Sequence, residues 1–124
     1  MKITNIETFI VDAGWRPWGF VKVETDEGIT GWGECFGPGN IALANKFILE
    51  KVIQPLIIGE DPTNKEYIWY KVYNLLRDSG QKGMPIQALS GVDIALWDIL
   101  SKKAKLPLYQ LVGCLLYTSD AADD

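Results

Sequence analysis

Apolar and polar positions follow two different periods along this chain, and the change comes near Phe36. Before it they alternate. Residues 2–11 are rich in Ile, Thr, Phe and Val and predict a strand. Across residues 18–25, Val21 and Val23 point one way and Lys22 and Glu24 the other, as a half-buried strand requires. Asp26-Glu27-Gly28 reads as a tight turn, with Gly28 suited to a positive φ. Residues 29–36 predict a third strand, so the three form an antiparallel meander. Gly31 and Gly33 share one face of that third strand. With no side chains there, another element can approach the backbone closely.

After Phe36 the spacing becomes helical. Asn40 is placed to cap a helix that runs to about Gln54 and stops before Pro55, with Ala44, Ile48 and Val52 on one face. Thr63 and Glu66 have the spacing of a capping box. They precede a second helix whose apolar stripe is Ile68, Val72, Leu75 and Leu76. Asp78-Ser79-Gly80 ends it, and residues 80–83 form a polar loop. Pro85 opens a third helix with a stripe of Leu89, Val92, Leu96, Ile99 and Leu100. Pro107 begins a last turn that Gly113 closes. Strands first and helices afterwards describe an α+β domain, a three-stranded antiparallel meander with three to four helices on one face.

Composition narrows the function classes. The 124 residues fit one domain, and 48% hydrophobic with 23% charged residues is ordinary for a globular protein. A net charge of −4 gives no basic footprint for nucleic acid or an anionic membrane. No apolar run reaches the roughly 18 residues of a membrane span, and the N-terminus enters a strand pattern directly, without a leader-like apolar region. Cys35 and Cys114 have no metal-site spacing and read as thiols of a reducing, cytoplasmic compartment. The absence of histidine removes histidine bases, histidine metal ligands and serine–histidine triads together.

The carboxylates do not read as a catalytic pair. Asp93 and Asp98 are five helix positions apart, which turns them about 140° from one another. Asp98 and Lys102 instead have the i, i+4 spacing of an ion pair. Asp93 is free either to meet another domain or to serve a helix terminus. Glu34, at a strand end, reads as a structural hydrogen-bonding group. Residues 80–83 include Lys82 but lack phosphate-loop spacing. Trp69 and Trp97 read as packing or interface residues.

Three stretches carry a family resemblance. Residues 88–113, ALSGVDIALWDILSKKAKLPLYQLVG, resemble the helical signature that precedes the barrel in the mandelate racemase/muconate lactonizing enzyme family of the enolase superfamily. The match is nearly position by position over DIALWDI and PLYQLVG, and Gly31-Trp32-Gly33-Glu34 resembles a recurrent phrase of the same family. Ser101 departs, standing where the family usually has Gly or Ala. The resemblance implies that residues 1–113 are an N-terminal capping domain. It implies a parent that abstracts the proton α to a carboxylate with Mg²⁺, most closely an acid-sugar dehydratase, with racemases, epimerases and cycloisomerases as the other branches. In that family the bases and metal carboxylates lie on the barrel. The resemblance therefore assigns no catalytic residue and no metal ligand here, and implies that the chain alone is inactive.

What it does assign is a lid. The loops at residues 12–18, DAGWRPW, and 36–40, FGPGN, match the family loops that fold over the barrel mouth. Trp15, Arg16, Trp18 and Phe36 become the substrate-binding candidates, since aromatics exclude water and a guanidinium pairs with a carboxylate. The other reading is that Trp15 and Trp18 pack against neighbouring side chains and that Arg16 is a solvated turn residue. The implied partners are the barrel, a small carboxylate substrate and, in the parent, further copies in a homo-oligomer. Residues 114–124 break the resemblance and are expected to be a non-native or poorly ordered tail. The rival reading is a standalone α+β binding domain without catalysis.

Overall fold

The computed structural model describes residues 1–37 and 39–113. Three strands, β1 (Ile3–Asp12), β2 (Pro17–Thr25) and β3 (Thr30–Cys35), pair antiparallel in the order β1-β2-β3. Val21 lies opposite Thr8 on one side and Gly33 on the other. Gly28, at φ 77°, turns the β2–β3 hairpin, and the Thr25 hydroxyl donates to the Ile29 carbonyl across it at 2.7 Å. The meander is as the alternation predicts, and helices follow it.

The helical layer covers one face of this sheet. Val21, Val23, Leu89, Val92, Leu96 and Ile99 are all buried, with Ile3, Ile6, Leu49, Ile53 and Ile68 around them. Each such side chain contributes about 1.5–3 kcal/mol by leaving water. The longest helix, α4 (Met84–Ala104), lies against β3 so closely that the glycines are required. A Cβ on Gly31 would stand 2.1 Å from the Ala95 carbonyl oxygen, and one on Gly33 would stand 2.0 Å from that of Gly91. The small residues Ala88, Gly91 and Ala95 on α4 are buried beside the leucines. Ser101 is buried too, and its hydroxyl donates to the Asp98 carbonyl at 2.9 Å, so the departure from the family pattern costs no unpaired group.

The first helical segment differs from expectation. It continues past Pro55: α1 (Ile41–Phe47) runs into a π-helical stretch, Ile48–Ile53, and then into α2 (Gln54–Ile57). The wider π turns break the i→i−4 ladder, so Pro55 falls in the first turn of α2, where no N–H is needed. The buried face is Ala42, Asn45, Leu49, Ile53 and Ile57, with Ala44, Ile48 and Val52 half-buried beside it. Asn40 precedes the helix in helical geometry, and its carbonyl, not its side chain, makes the first bonds.

Next comes α3 (Lys65–Leu75), followed by a tight turn at Leu76–Ser79. The expected capping box does not form. Thr63 turns back, and its N–H and hydroxyl donate to Asp61 Oδ1 at 2.9 and 2.8 Å. These bonds hold the Asp61 carboxyl below its usual value. Ile68, Val72 and Leu76 are buried, but Leu75 is 53% exposed because α3 meets the core along a narrow stripe. The short α5 (Leu108–Leu111) follows α4. No helix among the described residues is long and apolar enough to cross a membrane. Residues 114–124, Cys114 included, lie outside the described residues.

Candidate substrate-capping site

The loop joining β1 to β2 is built by hydrogen bonds within itself. The Gly14 N–H donates to Asp12 Oδ1 at 2.8 Å, and Ala13 N–H to the Arg16 carbonyl at 3.2 Å. Gly14 takes φ 86°, which a residue with a Cβ reaches only under strain. This tight loop leaves Trp15 73% exposed at its tip. The Arg16 guanidinium carbon lies 4.2 Å from the centre of the Trp15 ring and 5.6 Å from that of Phe36. Arg16 thus joins the two loops, with its charge over two aromatic rings.

Phe36 is held from below by a residue that sequence reasoning missed. Asn45, on the buried face of α1, is wholly buried. Its Nδ2 donates to the Phe36 carbonyl at 2.6 Å and to Gln87 Oε1 at 3.3 Å. Gly37 fits tightly above it, for a Cβ there would meet the Ala42 nitrogen at 2.9 Å. An Asn between Ala42 and Leu49, at positions sharing one helix face, was the available signal.

Trp15, Arg16 and Phe36 come together; Trp18 does not join them. It lies on β2 and makes an edge-to-face pair with Phe20 at 6.0 Å. Phe9 and Trp32 pair at 5.7 Å on the neighbouring strands. Trp18, Phe20, Phe9 and Trp32 alternate with the buried positions of their strands, so they lie on the face that no helix covers.

The carboxylates separate as their helix positions require. Asp98 faces β3 and pairs with Lys102 at 2.6 Å. Asp93 lies in a cleft of about 270 Å³ with Lys65, Glu66, Trp69, Tyr70 and Trp97, where Lys65 Nζ sits 3.9 Å from the Trp97 ring centre. Burial pushes the Asp93 carboxyl above its usual value, while Lys65 pulls it back. Its titration therefore costs stability at neutral pH. The unfolded chain releases this proton near 3.8 and the folded chain later, so stability falls as pH rises through that window. We expect Asp93→Asn to raise the thermal midpoint at neutral pH and to lose that advantage below pH 3.8. A pH-independent difference would mean that packing, not charge, sets the effect.

Cys35 is buried, and burial pushes its thiol up, away from a reactive thiolate. Among the described residues no three His, Cys, Asp or Glu side chains are grouped to hold a metal ion.

Similar proteins fit this geometry. The family model for the mandelate racemase/muconate lactonizing enzyme N-terminal domain matches residues 6–113. The chain is 45% identical over 93 residues to D-galactarolactone cycloisomerase of Agrobacterium fabrum, covering 75% of this chain and 24% of that protein. It is 40% identical over 118 residues to D-galactonate dehydratase of Pectobacterium atrosepticum, covering 94% of this chain and 29% of that protein. Its fold matches the crystal structure of 3,6-anhydro-D-galactonate cycloisomerase from Zobellia galactanivorans with a TM-score of 0.84 and 31% identity, over 93% of this chain and 32% of that one. The chain thus spans about a quarter to a third of the length of these relatives. With its meander, its helical layer and its signature helix α4, this chain belongs to the mandelate racemase/muconate lactonizing enzyme family of the enolase superfamily, and corresponds to the N-terminal domain of that family.

Proposed function

We propose that this chain is the substrate-capping part of a Mg²⁺-dependent, homo-oligomeric, cytoplasmic acid-sugar dehydratase that abstracts the proton α to a carboxylate. Isomerisation by the same parent is the neighbouring reading. The observation that carries the proposal is Arg16 bridging Trp15 and Phe36, which makes one lid of two loops. The Arg16 fork, steadied against an indole face, pairs with the carboxylate of a small acid, and the aromatic rings exclude water above it. Abstraction of the proton and Mg²⁺ binding belong to the barrel of the parent, so these residues alone turn over no acid sugar.

A fusion tests this. Residues 1–113 replace the corresponding segment of the Pectobacterium D-galactonate dehydratase, and a panel of acid sugars is assayed for loss of water. Turnover by the fusion, and none by the isolated chain, is the expected result. A folded fusion with no turnover, beside a monodisperse isolated chain, favours the standalone domain instead.

A cap without its barrel also leaves Trp15, Trp18, Phe36 and Met84 exposed. We expect the isolated chain to self-associate at micromolar concentration, and Trp15→Ser with Trp18→Ser to reduce this. Light scattering across a dilution series checks it, and a monodisperse isolated chain without these substitutions would count against the lid.

A further inference from the structure

The sheet has two outer edges, on β1 and on β3. An open edge offers unpaired N–H and C=O groups to any other strand. Both edges here meet a lysine and an acid four residues apart on a helix. At β3, the Trp32 N–H donates to Asp98 Oδ2 at 2.8 Å, and Lys102 Nζ donates to the Thr30 carbonyl at 2.7 Å. At β1, the Thr8 N–H donates to Glu50 Oε1 at 3.2 Å, and Lys46 Nζ donates to the Thr8 carbonyl at 2.8 Å. Each lysine also bonds its own acid, at 2.6 Å for Lys102–Asp98 and 3.3 Å for Lys46–Glu50. A neighbouring strand would supply the same two things, an acceptor for the N–H and a donor for the C=O. Farther along β1 the backbone does this directly: the Ile3 N–H reaches the Glu60 carbonyl at 2.9 Å, and the Gly59 N–H reaches the Ile3 carbonyl at 2.8 Å.

We propose that the ion pairs Asp98–Lys102 and Lys46–Glu50 act as surrogate strands, and that they keep the β3 and β1 edges from pairing with those of a second copy of this chain. Support for its own helix does not explain the Lys46–Glu50 pair. The favourable order in a helix puts the acid before the lysine, yet Lys46–Glu50 runs the other way and still reaches its strand. Exposed pairs of this kind contribute little by themselves. A second copy is the fitting occupant of a freed edge, because pairing β3 with β3 continues the uncovered face that carries Phe9, Phe20 and Trp32 across both copies.

The test uses the chain carrying Trp15→Ser and Trp18→Ser, so that the lid loops do not drive association. Two variants are made in it: Asp98→Ala/Lys102→Ala, and the swap Asp98→Lys/Lys102→Asp. The swap keeps the net charge and the attraction along the helix, but sets a donor against the Trp32 N–H and an acceptor against the Thr30 carbonyl. Sedimentation over a concentration series and amide exchange at Trp32 are the readouts. We expect both variants to exchange the Trp32 amide at least about tenfold faster when dilute. We expect both to form dimers when concentrated, with exchange slowing again as the edges pair. Slow exchange and monomer restored by the swap would show a helix-support role and overturn the proposal, as would unchanged monomers in both variants. If the alanine pair does not fold, Lys102→Met decides with the same readouts, a dimer supporting the proposal and a monomer overturning it.

Discussion

Gly33→Ala is expected to lower the thermal midpoint by more than about 10 °C, and Gly31→Ala combined with it to leave no cooperative fold. The reason is distance. The new methyl would stand 2.0 Å from the Gly91 carbonyl oxygen and 3.0 Å from the Ala95 nitrogen. All of these are backbone atoms of α4, so no rotamer change relieves the clash. The helix must move off the sheet, and the contacts of Val92, Leu96 and Ile99 with Val21 and Val23 loosen together. Overpacking typically costs about 1–3 kcal/mol, and a contact with backbone on both sides belongs at the upper end. Neighbouring substitutions against one helix couple, so the double change exceeds the sum. Thermal denaturation followed by circular dichroism measures it. A shift under about 3 °C would mean that α4 does not lie this close to β3.

The second large effect is on turnover. In the fusion that tests the capping role, Arg16→Ala is expected to reduce kcat/KM about ten- to hundredfold, the value of one hydrogen-bonded contact to a charged group. Removing it also separates the two loops, since the guanidinium is what lies against both the Trp15 and Phe36 rings. Arg16→Lys is expected to recover only part, because an ammonium keeps the charge but not the planar fork. A loss confined to KM would point to uniform binding of the carboxylate, and a loss shared by kcat to closure of the lid. An Arg16→Ala fusion as active as its parent would remove Arg16 from the substrate site. The midpoint of the fusion should hardly move, because the rings that Arg16 lies against, Trp15 and Phe36, are themselves exposed.

These two expectations sit at opposite ends of what could be read from the chain. Gly31 and Gly33 were legible as a flat face, because alternation assigns strand positions to a side without knowledge of the partner. Trp15, Arg16 and Phe36 were legible as lid candidates only through resemblance. Nothing local distinguishes an arginine over two rings from one in water.

Sequence alone determined the meander, the helical layer, the core stripe of α4 and the membership of the family. The first three rest on short-range periodicity and on side-chain types at fixed spacing, which the chain carries before it folds, and the fourth on the resemblance of whole segments to a known family. Tertiary structure decided the rest. The buried face of the first helix lies one position on from the expected one, at Asn45, Leu49 and Ile53 beside the half-buried Ala44, Ile48 and Val52, because the rotation of the helix about its axis is set by how it seats on the sheet. The joining of Arg16 to Phe36, the Asn45 amide beneath Phe36, and the reach of Asp98 to an N–H 66 residues away all depend on which segments the folded chain brings side by side. Long polar side chains take whichever partner lies within reach, and only the path of the whole chain sets that reach.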